Sequence, residues 1–400
     1  MFDPASVRFR GPLAPHVEGF WSELMGQGYA PFSGRNLLLL AAHVSRWLDE
    51  RALGLRDLTA ERVARFAAHR RRQGYTQFLT PRAVEPLLRY VRRIGAAPPP
   101  PLPSDTPLDR FVRDYADYLA GERGLVTTTI RGYAHLAQRF IDAKFGAKLP
   151  DWRALVAGDV IRFITREFRR SNLGGCKLTI TQLRSLLRYL HVQGHLRHDL
   201  AACVPAVAGW RLASLPKGLE PEQVERMLAS CDPCTLVGSR DRAVLCLLVR
   251  LGLRAGEVAA LRLDDVDWRA GEIVVRGKPR RESRLPLPPD VGRAVVAYLR
   301  RRPRGASRVV FLCVPAPHRP VTSQAISALT MRALRAIGVR AGYAHLLRHT
   351  AATQMLRHGA SLGEIGHVLR HRHVDTTAIY AKVDDVALRT LVQPWPGGAA

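Results

Sequence analysis

The apolar residues of this chain recur mostly three and four positions apart, the spacing of helices with one buried face. Phe111, Tyr115, Tyr118 and Leu119 mark such a face, and the same pattern predicts four or five helices in each of segments 1–97 and 107–205. Beyond residue 215 the pattern is mixed. Pro221–Ala229 reads as a helix whose first turn is flanked by Glu220 and Glu222, which suits the positive end of the helix dipole. Arg242–Leu251 is strongly apolar and predicts a buried helix that Gly252 can close. GEIVVR at Gly271–Arg276 and SRLPLP at Ser283–Pro288 read as the strands of a hairpin turning through Gly277–Glu282. Helices are then expected over Ser323–Gly338, His345–His358, Ser361–Leu369 and Thr376–Lys382, with Ser361 and Glu364 at capping-box spacing. The predicted fold class is mainly α with a small β-sheet, helical domains preceding an α+β domain.

Two breaks divide the chain. AAPPPPLPSDTP at Ala96–Pro107 is a semi-rigid proline linker, and Val204–Pro216 is an irregular stretch holding Pro205, Gly209 and Pro216. The domains expected are therefore 1–97, a linker over 98–106, 107–205, and 215–400. The first two resemble each other in order: SRWLDE and QRFIDA, RVARF and VIRF, LLRYVRRIG and LLRYLHVQG, each pair separated by roughly a hundred residues. This is the signature of a duplicated helical unit.

Charge changes the picture more than composition does. Lys and Arg number 61 against 34 Asp and Glu, a net +27 spread along all 400 residues rather than gathered in a tail. A folded, cationic surface calls for a polyanion, with nucleic acid first and an acidic membrane second. The apolar run Leu37–Ala42 is far too short to span a bilayer, and no signal peptide precedes it. Six cysteines make no disulfide framework, and the lone CxxC at Cys231 and Cys234 lacks a second pair for zinc. A reducing, cytoplasmic setting follows.

The candidate chemistry lies in the third segment. Arg254 follows the Gly252 stop in GLRAGEVAALRLDDVDW, with Glu257 one turn on. Lys278 sits in the hairpin turn. His345 and Arg348 in HLLR are one helical turn apart. His371 stands in VLRHRHVDTT, and Tyr380 in TTAIYAKV. Singly, each has an ordinary explanation: a solvated arginine, a surface lysine, a half-buried tyrosine anchor. His345 and His349 at i, i+4 could suggest zinc, but the HExxH glutamate is missing. Asp264, Asp265 and Asp267 fit turn and cap duties better than a metal.

Together and in this order, the residues resemble the catalytic domain of the tyrosine recombinases, or phage integrases. That hallmark is Arg, Lys, His-x-x-Arg, His or Trp, and a nucleophilic Tyr. The resemblance covers about 180 residues and extends weakly into 107–205, which is similar to the family's helical core-binding (SAM-like) domain. It implies that Tyr380 attacks a scissile phosphate to give a 3′-phosphotyrosyl link, with strand exchange and religation needing neither metal, cofactor nor ATP. Arg254 and Arg348 would clamp the non-bridging oxygens with forked donors. Lys278 would protonate the leaving 5′-oxygen, His345 would exchange a proton with Tyr380, and His371 would hydrogen-bond the phosphate. Glu257 would support His345. Here Pro279 follows the lysine where glycine is common, Arg370 precedes His371 where glycine is common, and His373 offers a second imidazole nearby. Arg169, Arg170, Arg280 and Arg281 are candidate DNA-backbone contacts.

The implied partners are duplex DNA, clamped between 107–205 and 215–400, and further copies of the chain in a tetramer on paired sites. An accessory recombinase or DNA-bending protein is compatible with this reading, as is nucleoid association. Val383–Val392 is amphipathic and expected to dock on a neighbouring protomer. Segment 1–97 is expected to add DNA contacts or a protomer interface. A type IB topoisomerase-like enzyme and a catalytically silent DNA-binding protein of the same fold are the alternatives. Within AHLLRHTAATQMLRHG, Leu347, Ala351 and Met355 are expected to face the core. His345 and Arg348 should face phosphate, with His349, Arg357 and His358 as bystanders.

Overall fold

The computed structural model describes residues 3–100, 105–146, 150–207, 218–277, 282–305, 307–340, 342–371 and 376–383. Among these, four helices form the N-terminal bundle: α1 (Val17–Gly26), α2 (Pro31–Asp49), α3 (Ala60–Arg72) and α4 (Pro81–Arg93). Four more follow: α5 (Pro107–Gly121), α6 (Thr127–Phe145), α7 (Ala157–Phe168) and α8 (Leu173–Val192). Their starts are written in the sequence. Pro31, Pro81 and Pro107 occupy first-turn positions, where no backbone N–H is needed. Thr59, Thr106 and Asn172 accept backbone N–H groups as N-caps.

Each bundle has its own core. Phe20, Leu38, Trp47, Phe66 and Tyr90 meet in the first. Tyr115, Phe140, Phe163, Leu187 and Tyr189 meet in the second. The chain divides into two compact units, one of residues 99–211 and the other of residues 1–98 with 212–400. Within the latter, Gly28 ends α1 with φ +82°, and a Cβ there would stand 2.6 Å from the His318 ring. This glycine is required by a close approach as well as by its backbone.

The third core surrounds α10 (Leu236–Arg250), in which the run from Ala243 to Val249 is buried on every side. Truncating Leu247 to Ala there would cost about 2–5 kcal/mol. Around α10 lie α9 (Pro221–Ala229), α11 (Ala255–Ala260), α12 (Pro289–Leu299), α13 (Ser323–Ala336) and α14 (Ala344–Arg357), followed by α15 (Leu362–Val368). The expected hairpin is one strand larger: β1 (Val266–Asp267), β2 (Glu272–Arg276) and β3 (Glu282–Pro286) form an antiparallel sheet in the order β1-β2-β3. β1 is only two residues long, too short to leave an alternation pattern. Asp265 accepts from the Arg262 N–H and pairs with Arg276, while Asp267 accepts from Arg269 and Ala270, so these acids serve turns.

Candidate active site

The corner of the third core is assembled at helix ends. Gly252 leaves α10 with φ +59°, and a Cβ there would collide with Leu369 at 2.4 Å and crowd Ala351. Only glycine lets the chain turn so tightly against α14. Two residues on, Arg254 is the N-cap of α11. Its backbone N–H donates to Glu257 Oε2 at 2.8 Å, and its Nη1 donates to Oε1 at 2.7 Å. The carboxylate that caps the helix therefore also aims the guanidinium, which keeps 45% of its side-chain surface open.

Glu257 does not serve His345, as the resemblance implied. Its second guanidinium partner is Arg370, whose Nη2 donates to Oε2 at 2.7 Å. The reason is local: a carboxylate at the third helical position curls back to its own cap and cannot also reach across to α14. Burial pushes the Glu257 pKa up. The Arg254 N–H and the charges of Arg370 and Arg254 outweigh that and hold it below its ordinary value. Arg370 adopts φ +56°, the left-handed conformation that explains why glycine suits this position.

Arg348 also departs from expectation. It does not share an open face with His345 but is 1% exposed, and its Nη1 and Nη2 donate to the carbonyls of Gly252 and Leu369. Those carbonyls follow α10 and α15, where helix ends leave acceptors unpaired and carry partial negative charge. The guanidinium fork ties three helices together. Burial, then Arg254 and Arg370, lower its pKa to about 10, so it remains a cation at neutral pH.

His349, a bystander by its place in the sequence, holds its Nδ1 2.8 Å from the Tyr380 hydroxyl. His345 stands one turn earlier, its ring 4.5 Å from that of His349 in an edge-on contact. Tyr380 itself sits on the 3-10 turn Ala378–Val383, is 2% exposed, and packs with Ala352, Ile365 and Leu369. His371 Nδ1 lies 2.7 Å from Thr377 Oγ1, which orients the ring and leaves Nε2 for another partner. Met355, Arg357 and His358 close the helix: Met355 packs on the Tyr380 cluster, Arg357 pairs with Glu220, and His358 meets the Gln354 carbonyl.

The electrostatics follow from this crowding. Burial, His345 and Arg348 pull His349 down to about 4. Burial, Arg348 and Arg254 pull His371 to about 4 and lower His345. Burial pushes Tyr380 up to about 12, against the pull of Arg348. The site therefore holds three arginines and three neutral imidazoles around a protonated phenol, with Glu257 as the carboxylate bonded to the arginines. A bound anion would relieve the unmet positive charge, which is what a phosphodiester supplies.

Lys278, Arg280 and Arg281 lie outside the described residues, as does all of Val383–Val392 beyond its first residue. The strand ladder closes at Arg276 and Glu282 on either side of that turn. Arg169 and Arg170 are exposed at the end of α7 in the other unit. Sequence reasoning missed His349, Arg370 and Thr377 as parts of the site. AHLLRHTAATQMLRHG contains His349, but its spacing from His345 along the chain suggests nothing more specific than a zinc pair or a bystander. Among the described residues, no group of His, Cys, Asp and Glu is gathered to hold a metal, and no helix is long and apolar enough to cross a membrane.

Known proteins resemble this chain in sequence and in fold. Residues 217–386 match the phage integrase family. A putative integrase/recombinase, y4rA, of Sinorhizobium fredii (strain NBRC 101917 / NGR234) is 42% identical over 97% of this chain and 96% of its own length. The tyrosine recombinase XerD of Listeria monocytogenes serotype 4b (strain F2365) is 30% identical over 70% of this chain and 97% of its own. Among solved structures, XerH recombinase bound to its palindromic difH substrate superposes with a TM-score of 0.55 at 20% identity, covering 82% of this chain and 93% of that one. A lambda integrase tetramer on a Holliday junction superposes with a TM-score of 0.53 at 17% identity, covering 74% and 85%. The chain belongs to the phage integrase family of tyrosine recombinases, whose members cleave and rejoin DNA.

Proposed function

We propose that this protein is a site-specific DNA recombinase in which Tyr380 is the nucleophile. The observation that carries the reading is the convergence of Tyr380, Arg348, His349 and Arg254 at one corner, a phenol delivered among arginines whose charge the single Glu257 carboxylate offsets only in part. Tyr380 attacks the scissile phosphate, the Oη–P bond forms, and the P–O5′ bond breaks to leave a 3′-phosphotyrosyl link. The link stores the phosphodiester energy, so a 5′-hydroxyl from a partner strand can reverse the step and complete the exchange.

Charge gathers on the non-bridging oxygens during attack. Arg254, half open and aimed by Glu257, binds one side of the phosphate. Arg348, already fixed by two carbonyls, presents its remaining N–H groups without reorganising. His371 donates from Nε2, and His345 lines the same face. Lys278 protonates the leaving 5′-oxygen. Arginine charge neutralises the phosphate, as a metal ion does in other phosphoryl-transfer sites.

Pairs of protomers on two DNA sites make a tetramer, a reading supported by the lambda integrase tetramer on a Holliday junction. Segment 107–205 and the basic ends of α7, Arg169 and Arg170, add backbone contacts. The N-terminal bundle, with Arg71 and Arg72 exposed at the end of α3, adds DNA contacts or a protomer interface.

The test is a nicked suicide duplex carrying the protein's own site, selected from a random pool by binding. Wild type is expected to form a covalent adduct at the 3′-phosphate and Tyr380→Phe none. No adduct from wild type on a tightly bound site would overturn the reading.

A further inference from the structure

We propose that His349, rather than His345, takes the proton from Tyr380 as it attacks, and returns it when the strand is rejoined. This inference rests on Tyr380 being the nucleophile.

The geometry is direct. Nδ1 of His349 stands 2.8 Å from the Tyr380 oxygen, the reach of one hydrogen bond, while the ring of His345 packs edge-on against that of His349. Both partners of the bond are fixed. His349 is carried by α14, whose next residue, Thr350, is buried and accepts the Leu219 N–H. Tyr380 is locked by Ala352, Ile365 and Leu369, with its own N–H donated to the Thr377 carbonyl at 3.0 Å. A neutral ring with its proton on Nε2 offers Nδ1 as an acceptor, and the phenol donates to it.

Protonation states agree. The phenol, pushed up to about 12, is an O–H at any working pH and cannot attack without losing its proton. His349, pulled to about 4, is neutral and free to accept. The gap between the two values keeps the proton on Tyr380 while no DNA is bound. An arriving phosphodiester changes that, because its negative charge favours the imidazolium, and because charge building on phosphorus draws electrons from the phenol. Proton loss then accompanies attack. The step balances: the Tyr380 O–H proton moves to His349 Nδ1, the Oη–P bond forms, the P–O5′ bond breaks, and Lys278 supplies a proton to the departing 5′-oxygen. Religation runs each transfer backwards.

The test uses the full-length protein on the nicked suicide duplex. His349→Asn places an amide oxygen near the former Nδ1, so it can hold the phenol but cannot take its proton. His349→Gln is a second replacement should Asn disturb the fold, and DNA affinity and Tm are measured for both. Each is expected to bind DNA as wild type does and to cleave about a hundredfold or more slowly. Two substitutions in the reaction separate a proton acceptor from a mere anchor. Placing a fluorinated tyrosine at position 380 lowers the phenol pKa, and the deficit of His349→Asn is expected to shrink at least about tenfold. A 5′-bridging sulfur, a leaving group needing no acid, is expected to leave that deficit unchanged. Cleavage by His349→Asn at the wild-type rate would overturn the proposal. So would a deficit equal for tyrosine and fluorotyrosine, or rescue by the sulfur substrate. An adduct formed by wild type but not by Tyr380→Phe keeps the nucleophile assignment standing in each of those cases. Absence of a wild-type adduct would sink that assignment, and this inference with it.

Discussion

Among the described residues, Arg70 and Arg348 are buried in different regions, and the difference separates packing from preparation. In the N-terminal bundle, Arg70 is 5% exposed and lies over the Tyr75 ring at 4.0 Å. It donates once, to the Gln77 carbonyl at 3.3 Å, and its Nε and Nη1 have no hydrogen-bond partner among the described residues. At the corner around Tyr380, Arg348 is 1% exposed and donates through both arms of its fork to the carbonyls of Gly252 and Leu369. Among the described residues, neither has a hydrogen-bonded carboxylate. Arg70 is accommodated by aromatic faces, which stabilise a cation without directing it. Arg348 is directed by helix ends and crowded by Arg254 and Arg370, so its charge is fixed in place and only partly offset by Glu257.

The largest effect should come from exchanging each for methionine, a side chain of similar volume without charge. Arg348→Met is expected to lower the rate of covalent adduct formation by about 10²–10³-fold, the loss typical of one fixed donor to developing charge. Arg348→Lys should fare little better, because one ammonium cannot span two carbonyls and a phosphate. Arg70→Met should cleave at the wild-type rate and unfold at the same or a higher temperature, since it removes a buried charge with unmet donors. Suicide-substrate kinetics and thermal melting check both. Equal losses in the two variants would erase the distinction.

Only part of this contrast could be read from the sequence. The order Arg254, His345, Arg348, His371, Tyr380 was visible because those residues recur in a recognisable string. The hairpin was visible because GEIVVR and SRLPLP flank a turn. What spacing hid was depth. His345 and Arg348 are three positions apart, close enough to share a helix face, yet the partner carbonyls of Gly252 and Leu369 lie on one side only, so Arg348 sinks and His345 stays open. The Tyr380 partner was hidden for a similar reason: nothing along the chain says that the turn at Ala378–Val383 brings its phenol against His349. β1 and α12 were missed because one is very short and the other begins in a run of prolines.

Arg370 gives a smaller test of the same corner. Its φ of +56° disfavours any side chain with a Cβ, and its guanidinium pairs with Glu257. Arg370→Ala and Arg370→Gly both lose that pair, but only alanine keeps the backbone strain. The glycine variant should therefore be the more stable of the two by about 1 kcal/mol in urea denaturation. In both, Arg254 keeps its own bonds to Glu257, so cleavage should fall less than in Arg348→Met. Equal stability of the two variants would mean that the turn carries no strain.

The smallest effect expected is a slope of stability with pH, and it divides the two regions once DNA is added. His349 and His371 are held at about 4 in the folded protein, against an ordinary value of 6.5. As pH falls from 6.5 towards 4 the unfolded chain takes up protons that the folded chain refuses, so stability falls across that window. His43 and His69 in the N-terminal bundle are also lowered, by burial first and by neighbouring arginines, and push in the same direction. Half-open rings are partly screened, so the change is modest, and comparing Tm at pH 7.5 with pH 5.5 stays above the range where carboxylates such as Glu257 begin to protonate. His349→Asn with His371→Asn should flatten the slope, and so should His43→Asn with His69→Asn. A bound phosphodiester beside Tyr380 raises the pKa values of His349 and His371 most, and backbone contacts at Arg71 and Arg72 act less on His43 and His69. With DNA present, the corner pair should cease to contribute to the slope while the bundle pair continues. A DNA-induced flattening that persisted in the His349→Asn, His371→Asn protein would place the anion somewhere other than beside Tyr380.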